Sequence, residues 1–141
     1  MGGGSNTLAN DEGFSGVVIQ MAMRTIDIPT GLKSLGIPRD FSPVRVVAES
    51  GAISAAVARQ TADAGLKGME WAISLPGTIG GAVRGNAGCF GGEMADVVSS
   101  VRVLRCGTKV PGNYEIVELS HDDLRFAYRE SAIKHSSDIV L

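Results

Sequence analysis

The chain has 141 residues, 44% of them hydrophobic and 20% charged, a size and balance that suit one folded globular domain and exclude a disordered chain. Its formal net charge of -2 gives no basic field for nucleic acid or an anionic membrane. Charges or turn residues break every apolar run short of a membrane span.

The opening Met1-Gly2-Gly3-Gly4-Ser5-Asn6 has neither the basic nor the apolar region of a secretory signal. Taken alone, it reads as a flexible linker. Gly16 to Met21 predicts a short buried strand after a turn at Asp11-Glu12-Gly13, and Thr25 to Ile28 a second one. Residues 29–43, punctuated by Pro29, Gly31, Gly36, Pro38 and Pro43, read as loop or as a weak hairpin connection. Val44 to Ser50 predicts a strand. Ala52 to Ala64 predicts an amphipathic helix with Ile53, Ala56, Val57 and Gln60 on one face and Gly65 past its end.

Val97 to Arg105 alternates like a half-buried strand, 107–113 is a turn region, and Glu115 to Leu119 is another strand. Ser120-His121-Asp122-Asp123-Leu124 has the capping residues of a helix start or tight turn, and Asp138 to Leu141 begins a strand. Short strands, one clear helix and no internal repeat predict an α+β domain. Cys89 and Cys106 make no disulfide framework and suit free thiols in a reducing compartment. His121 and His135 lack ligand spacing to them, so no metal site is expected.

Glycine is the unusual residue, at 19, and it concentrates in Leu75-Pro76-Gly77-Thr78-Ile79-Gly80-Gly81-Ala82-Val83-Arg84-Gly85-Asn86-Ala87-Gly88-Cys89-Phe90-Gly91-Gly92. Glycines let a ligand approach the backbone, and successive free N–H groups form a concave anion site suited to a pyrophosphate. Thr78 adds a hydroxyl, and Asn86 an amide that can bind a ligand or pin the loop. The run is neither the G-x-G-x-x-G dinucleotide fingerprint nor a Walker loop. A glycine-rich stretch can also simply turn a corner, but its length and apolar lead-in favour a ligand cradle.

Three segments in order, Gly2-Gly3-Gly4-Ser5-Asn6, Pro76-Gly77-Thr78-Ile79-Gly80-Gly81-Ala82 with Asn86-Ala87-Gly88, and Tyr128-Arg129-Glu130-Ser131, resemble the UDP-N-acetylenolpyruvoylglucosamine reductase (UDP-N-acetylmuramate dehydrogenase) family. That family belongs to the flavoprotein superfamily of the PCMH/vanillyl-alcohol-oxidase type, and the likeness runs over essentially the whole chain. It implies a cytoplasmic FAD enzyme of peptidoglycan synthesis that uses NADPH to reduce the enolpyruvyl group of a UDP-amino-sugar. It implies that Gly3, Gly4, Ser5 and Asn6 line one side of the FAD, that Pro76, Gly77, Thr78, Gly80, Gly81 and Ala82 wrap its pyrophosphate, and that Asn86 and Gly88 support the wrap. Ile139 falls near a further flavin-contact position. Arg129 matches the arginine that steadies the enolate-like intermediate, and Tyr128 shapes the substrate site.

The family's proton-donor serine and final glutamate have no match here, because Ser131 belongs to the arginine motif and Ser136 and Ser137 lack the context. The chain also begins in a glycine loop and stops inside an apolar run. The expectation is therefore one partial FAD-binding domain over 1–141, lacking the C-terminal substrate domain and inactive alone. Two alternatives stay open. Pro76-Gly77-Thr78 alone would permit another flavin oxidoreductase of the superfamily. A non-catalytic fragment with empty loops, self-associating through uncovered apolar surface, is the other.

Overall fold

The computed structural model describes residues 1–29, 43–106 and 112–141. The core is built on an antiparallel pair, β5 (Ser100–Cys106) with β6 (Tyr114–Ser120), in register from Ser100 opposite Ser120 to Cys106 opposite Tyr114. β7 (Ile139–Val140) pairs with the other edge of β5, placing Val103 opposite Val140. The central strand buries Val101 and Val103 on one face while Arg102 points to solvent, the alternation expected of a half-covered sheet. Arg105 fixes the approach to β7 through a forked pair with Asp138, Nε to Oδ1 at 3.1 Å and Nη2 to Oδ2 at 2.8 Å.

The covered face meets α2 (Ile79–Arg84), α3 (His121–Leu124) and a 3-10 turn, Ala132–His135. Ala82, Val83, Met94, Leu124 and Ile133 join Val101 and Val103 in one buried cluster. α3 starts on a reciprocal cap: the Asp123 N–H donates to Ser120 Oγ at 3.3 Å, and the Ser120 N–H to Asp123 Oδ2 at 2.9 Å.

α1 (Ser54–Asp63) falls inside the helix expected over 52–64, but its buried face is Ser54, Val57, Ala58 and Thr61. That stripe has the i, i+3, i+4, i+7 spacing one position on from the expected one, with Ile53 as an exposed N-cap and Gln60 also exposed. Small side chains on the buried face let α1 pack closely on a 3-10 turn at Glu70–Ser74. The expected strands at 25–28 and 44–50 shorten to β1 (Ile26–Asp27) and β2 (Val47–Ala48), paired antiparallel.

The strand expected over 16–21 is not formed, and Val17, Val18 and Ile19 are exposed. A strand needs a neighbour for its N–H and C=O groups. Here the backbone hydrogen bonds of the segment are the Gly16 N–H to Phe14 O at 3.0 Å, the Met21 N–H to Met1 O at 2.9 Å and the Met1 ammonium to Ile19 O at 2.6 Å. Most of the loop expected at 29–43 and of the turn at 107–113 lies outside the described residues.

The glycine run, read as loop, holds α2 and a hairpin of β3 (Gly88–Cys89) with β4 (Gly92–Glu93). Gly80 sits in the helix for packing rather than for freedom of turning. Its N–H donates to Ser50 O at 2.8 Å, and a Cβ there would lie 2.8 Å from the Ser50 Cβ. Short helices beside antiparallel strands make this an α+β domain.

Candidate functional site: a glycine-lined groove and a latched turn

The 2–5 loop and the 77–78 loop, some seventy residues apart in sequence, close on one another across a groove of about 240 Å³. Gly2 lies so near Thr78 that a Cβ on it would strike the Thr78 hydroxyl, and a Cβ on Gly77 would fall 2.7 Å from Ser5 Oγ. Gly77 has φ +99 and Gly4 φ +82, left-handed backbone that favours glycine. The second loop is fastened to the start of α1, with the Ser54 N–H donating to Gly77 O at 3.1 Å and the Ile79 N–H to Ala52 O at 2.9 Å.

Gly51 and Ile53 line the groove from below, and Gln20, Met21 and Arg24 form a third side. The backbone N–H groups of Gly3, Gly4, Ser5, Gly77 and Thr78 have no partner among the described residues. Beside the floor, the hydroxyls of Ser50 and Ser54 are buried without a hydrogen bond. A wider hollow of about 430 Å³, lined by Glu70, Trp71, Phe90, Gly91 and Gly92, contains neither loop and lies open to solvent. Convergent polar groups distinguish the smaller groove.

Past the second loop, the C-terminal end of α2 is stitched to a tight turn carrying Tyr128 and Arg129. The turn closes with two bonds between Ala127 and Glu130, N–H to O at 3.1 and 3.0 Å. Asn86, 1% exposed with φ 41, donates from Nδ2 to Ala127 O at 2.9 Å and accepts at Oδ1 from the Ala95 N–H at 3.0 Å. The Ser131 hydroxyl donates to Arg84 O at 2.7 Å, and the Arg84 guanidinium donates back to Ile133 O at 2.8 Å and Lys134 O at 2.9 Å.

Tyr128 is exposed, and the Arg129 guanidinium lies 5.7 Å from its ring centroid. Arg129 has φ 57, and no hydrogen bond ties its guanidinium among the described residues. The Glu130 carboxylate is held below its usual range by Lys134 Nζ at 2.8 Å and His135 Nε2 at 2.6 Å.

Of the residues expected around a flavin, Gly3, Ser5, Gly77 and Thr78 line the groove, with Gly4 inside the first loop. Asn6 and Pro76 flank the two loops and are exposed, as is Gly81 on α2. The Ala82 side chain belongs to the core, and Gly80 packs on Ser50. Asn86 has both ends of its amide on backbone groups, and Gly88 lies in the β3–β4 hairpin. Ile139 sits in β7 opposite Leu104, away from the groove lining. Gln20, Met21, Arg24, Gly51 and Ile53 line the groove without having been singled out in the sequence, and Arg84 and Ser131 form the latch.

The FAD binding domain family matches residues 1–110. The UDP-N-acetylenolpyruvoylglucosamine reductase of Caulobacter vibrioides is 39% identical over 142 residues, covering 100% of this chain and 42% of that protein. The reductase of the same name from Clostridioides difficile is 39% identical over 141 residues, covering 100% and 41%. Among solved structures, UDP-N-acetylenolpyruvylglucosamine reductase from Thermus caldophilus aligns with a TM-score of 0.53 at 33% identity, over 64% of this chain and 31% of that one. The chain thus spans about two fifths of the length of these curated relatives. Among the described residues no helix is long and apolar enough to cross a membrane. With its two glycine loops facing one another inside the matched region, the chain belongs to the FAD binding domain family, whose cofactor is FAD.

Proposed function

We propose that this chain carries the flavin-binding part of a cytoplasmic UDP-N-acetylenolpyruvoylglucosamine reductase, with residues 1–141 as one partial FAD-binding domain, NADPH as reductant and an enolpyruvyl UDP-amino-sugar as substrate. The observation that carries this is the meeting of Gly2–Ser5 with Gly77–Thr78 across one groove, while the Tyr128–Arg129 turn is latched to the helix that follows the second loop. The groove suits the diphosphate of FAD. Among the described residues its lining offers backbone N–H groups, the hydroxyls of Ser5 and Thr78 and one guanidinium, with no carboxylate.

In this assignment Gly3, Gly4, Ser5 and Asn6 form one wall and Pro76, Gly77 and Thr78 the other. Gly80, Gly81, Ala82, Asn86 and Gly88 fix the second wall in place, and Ile139 is assigned a further flavin contact outside the groove. Bound FAD supplies the two-electron chemistry that carries a hydride from NADPH to the alkene. The chain's own part at the reacting end falls to Arg129, whose permanent charge and unengaged fork suit holding the negative charge that develops as the alkene is reduced. Tyr128, stacked beside it, orients the guanidinium and borders the substrate.

Purified chain mixed with FAD and passed through gel filtration tests the cradle. A retained flavin absorbance band is expected, and elution free of flavin overturns the assignment. The substrate half is tested by adding the enolpyruvyl UDP-amino-sugar to the flavin-loaded chain. A perturbed flavin spectrum is expected; a response to a simple alcohol instead would favour another oxidoreductase of the superfamily.

A further inference from the structure

We infer that Arg24 supplies the counter-charge for the cofactor's diphosphate, making the 20–24 segment a working third wall of the groove. The inference rests on the FAD assignment above and adds to it a residue outside both glycine loops.

The segment is built into that position. A Cβ on Gly51 would fall 2.5 Å from Met23 O and 2.7 Å from Met21 O, so the absent side chain at Gly51 is what lets this backbone close on the groove floor. The far end is clamped by a reciprocal exchange with the strand before Gly51. The Glu49 N–H donates to Thr25 O at 2.9 Å, and the Thr25 N–H donates to Glu49 Oε2 at 2.6 Å. Arg24 therefore leaves a backbone fixed on both sides, and it lines the groove together with Gly2, Gly77 and Thr78.

Its charge is also available. Arg105 is paired with Asp138, Arg84 donates to two carbonyls, and Arg129 stacks on Tyr128. Arg24 has no hydrogen bond or ion pair among the described residues, and the nearest acidic neighbour in its clamp, Glu49, is occupied by the Thr25 N–H. Neutral N–H and O–H donors can solvate a diphosphate, but they do not cancel its charge. A guanidinium matches phosphate oxygens in a fork and does both.

The test compares the wild-type chain with Arg24→Gln and Arg24→Lys by fluorescence titration of FAD and of riboflavin, which lacks phosphate. Losing one charge-assisted contact should weaken FAD binding on the order of tenfold in Arg24→Gln, with partial recovery in Arg24→Lys. Riboflavin affinity should stay the same in all three, and FAD affinity should depend less on salt in Arg24→Gln. Equal FAD affinity in Arg24→Gln and wild type overturns the inference while leaving the FAD assignment intact. A matching loss for riboflavin overturns it as well, by placing Arg24 at the ring. Wild-type chain that takes up no FAD removes the assignment and this inference together.

Discussion

The hydroxyl of Ser131 donates to the carbonyl of Arg84 at 2.7 Å, joining the last residue of α2 to the residue that follows Glu130. Ser131 is 2% exposed, so water cannot replace the bond readily. Ser131→Ala should lower stability by about 1–2 kcal/mol, read as a shift in the urea midpoint at unchanged slope. An unshifted midpoint would mean that the latch does not hold.

Asn86 is the deeper half of the same connection, and both ends of its amide are used. Asn86→Ala should cost about 2–4 kcal/mol in the same assay. Asn86→Asp keeps the acceptor for the Ala95 N–H but turns a carboxylate toward the Ala127 carbonyl. Burial and that carbonyl raise the new acid's folded pKa, so its deficit against wild type should shrink as pH falls and a proton restores the donor. A deficit independent of pH would argue that the side chain has swung away.

Gly3 and Gly80 separate binding from folding. Nothing lies within 4 Å of a Cβ placed on Gly3, whereas one on Gly80 meets the Ser50 Cβ at 2.8 Å and Ser50 O at 3.2 Å. Gly3→Ala should leave the melting temperature nearly unchanged yet reduce FAD retention. Gly80→Ala should lose about 1–3 kcal/mol of stability as well as flavin. Equal behaviour of the two variants would count against Gly3 as part of the cradle wall.

Asp123 has its carboxyl below the usual range because the Ser120 hydroxyl and then the Ser120 N–H hydrogen-bond to it. A carboxylate depressed in the folded state adds stability above its unfolded pKa and loses it as pH falls through the lower folded value. Asp123→Asn should therefore be less stable than wild type at neutral pH, with a deficit that shrinks as pH falls below the ordinary aspartate range and so flattens the acid limb of the profile. An acid limb identical to wild type would show that the cap bond is not formed in solution.

Sequence pattern located α1, β5, β6 and the Ser120 cap, because each is set by near neighbours along the chain. It placed the α1 face one residue early because Ile53 looks like core and Ser54 does not; close packing on the next turn favoured the small residue. Gly80 and Gly81 are poor helix formers that point to loop, and contact with Ser50 outweighs that propensity in α2. The Val17–Ile19 stretch has strand composition but no strand beside it. Within the site, the two glycine loops were legible from residue type. Arg24 and Gly51 were not, since their place in the groove comes from a long-range clamp between Thr25 and Glu49.

Arg129 sits at φ 57, where an L side chain is strained by ~1 kcal/mol and glycine is not. The fold would thus be more stable with glycine at the very residue proposed to meet the substrate. A library screened for heat resistance alone should enrich Arg129→Gly, and the survivors should keep their flavin while losing any response to the sugar nucleotide. Only selection for turnover would keep the arginine there.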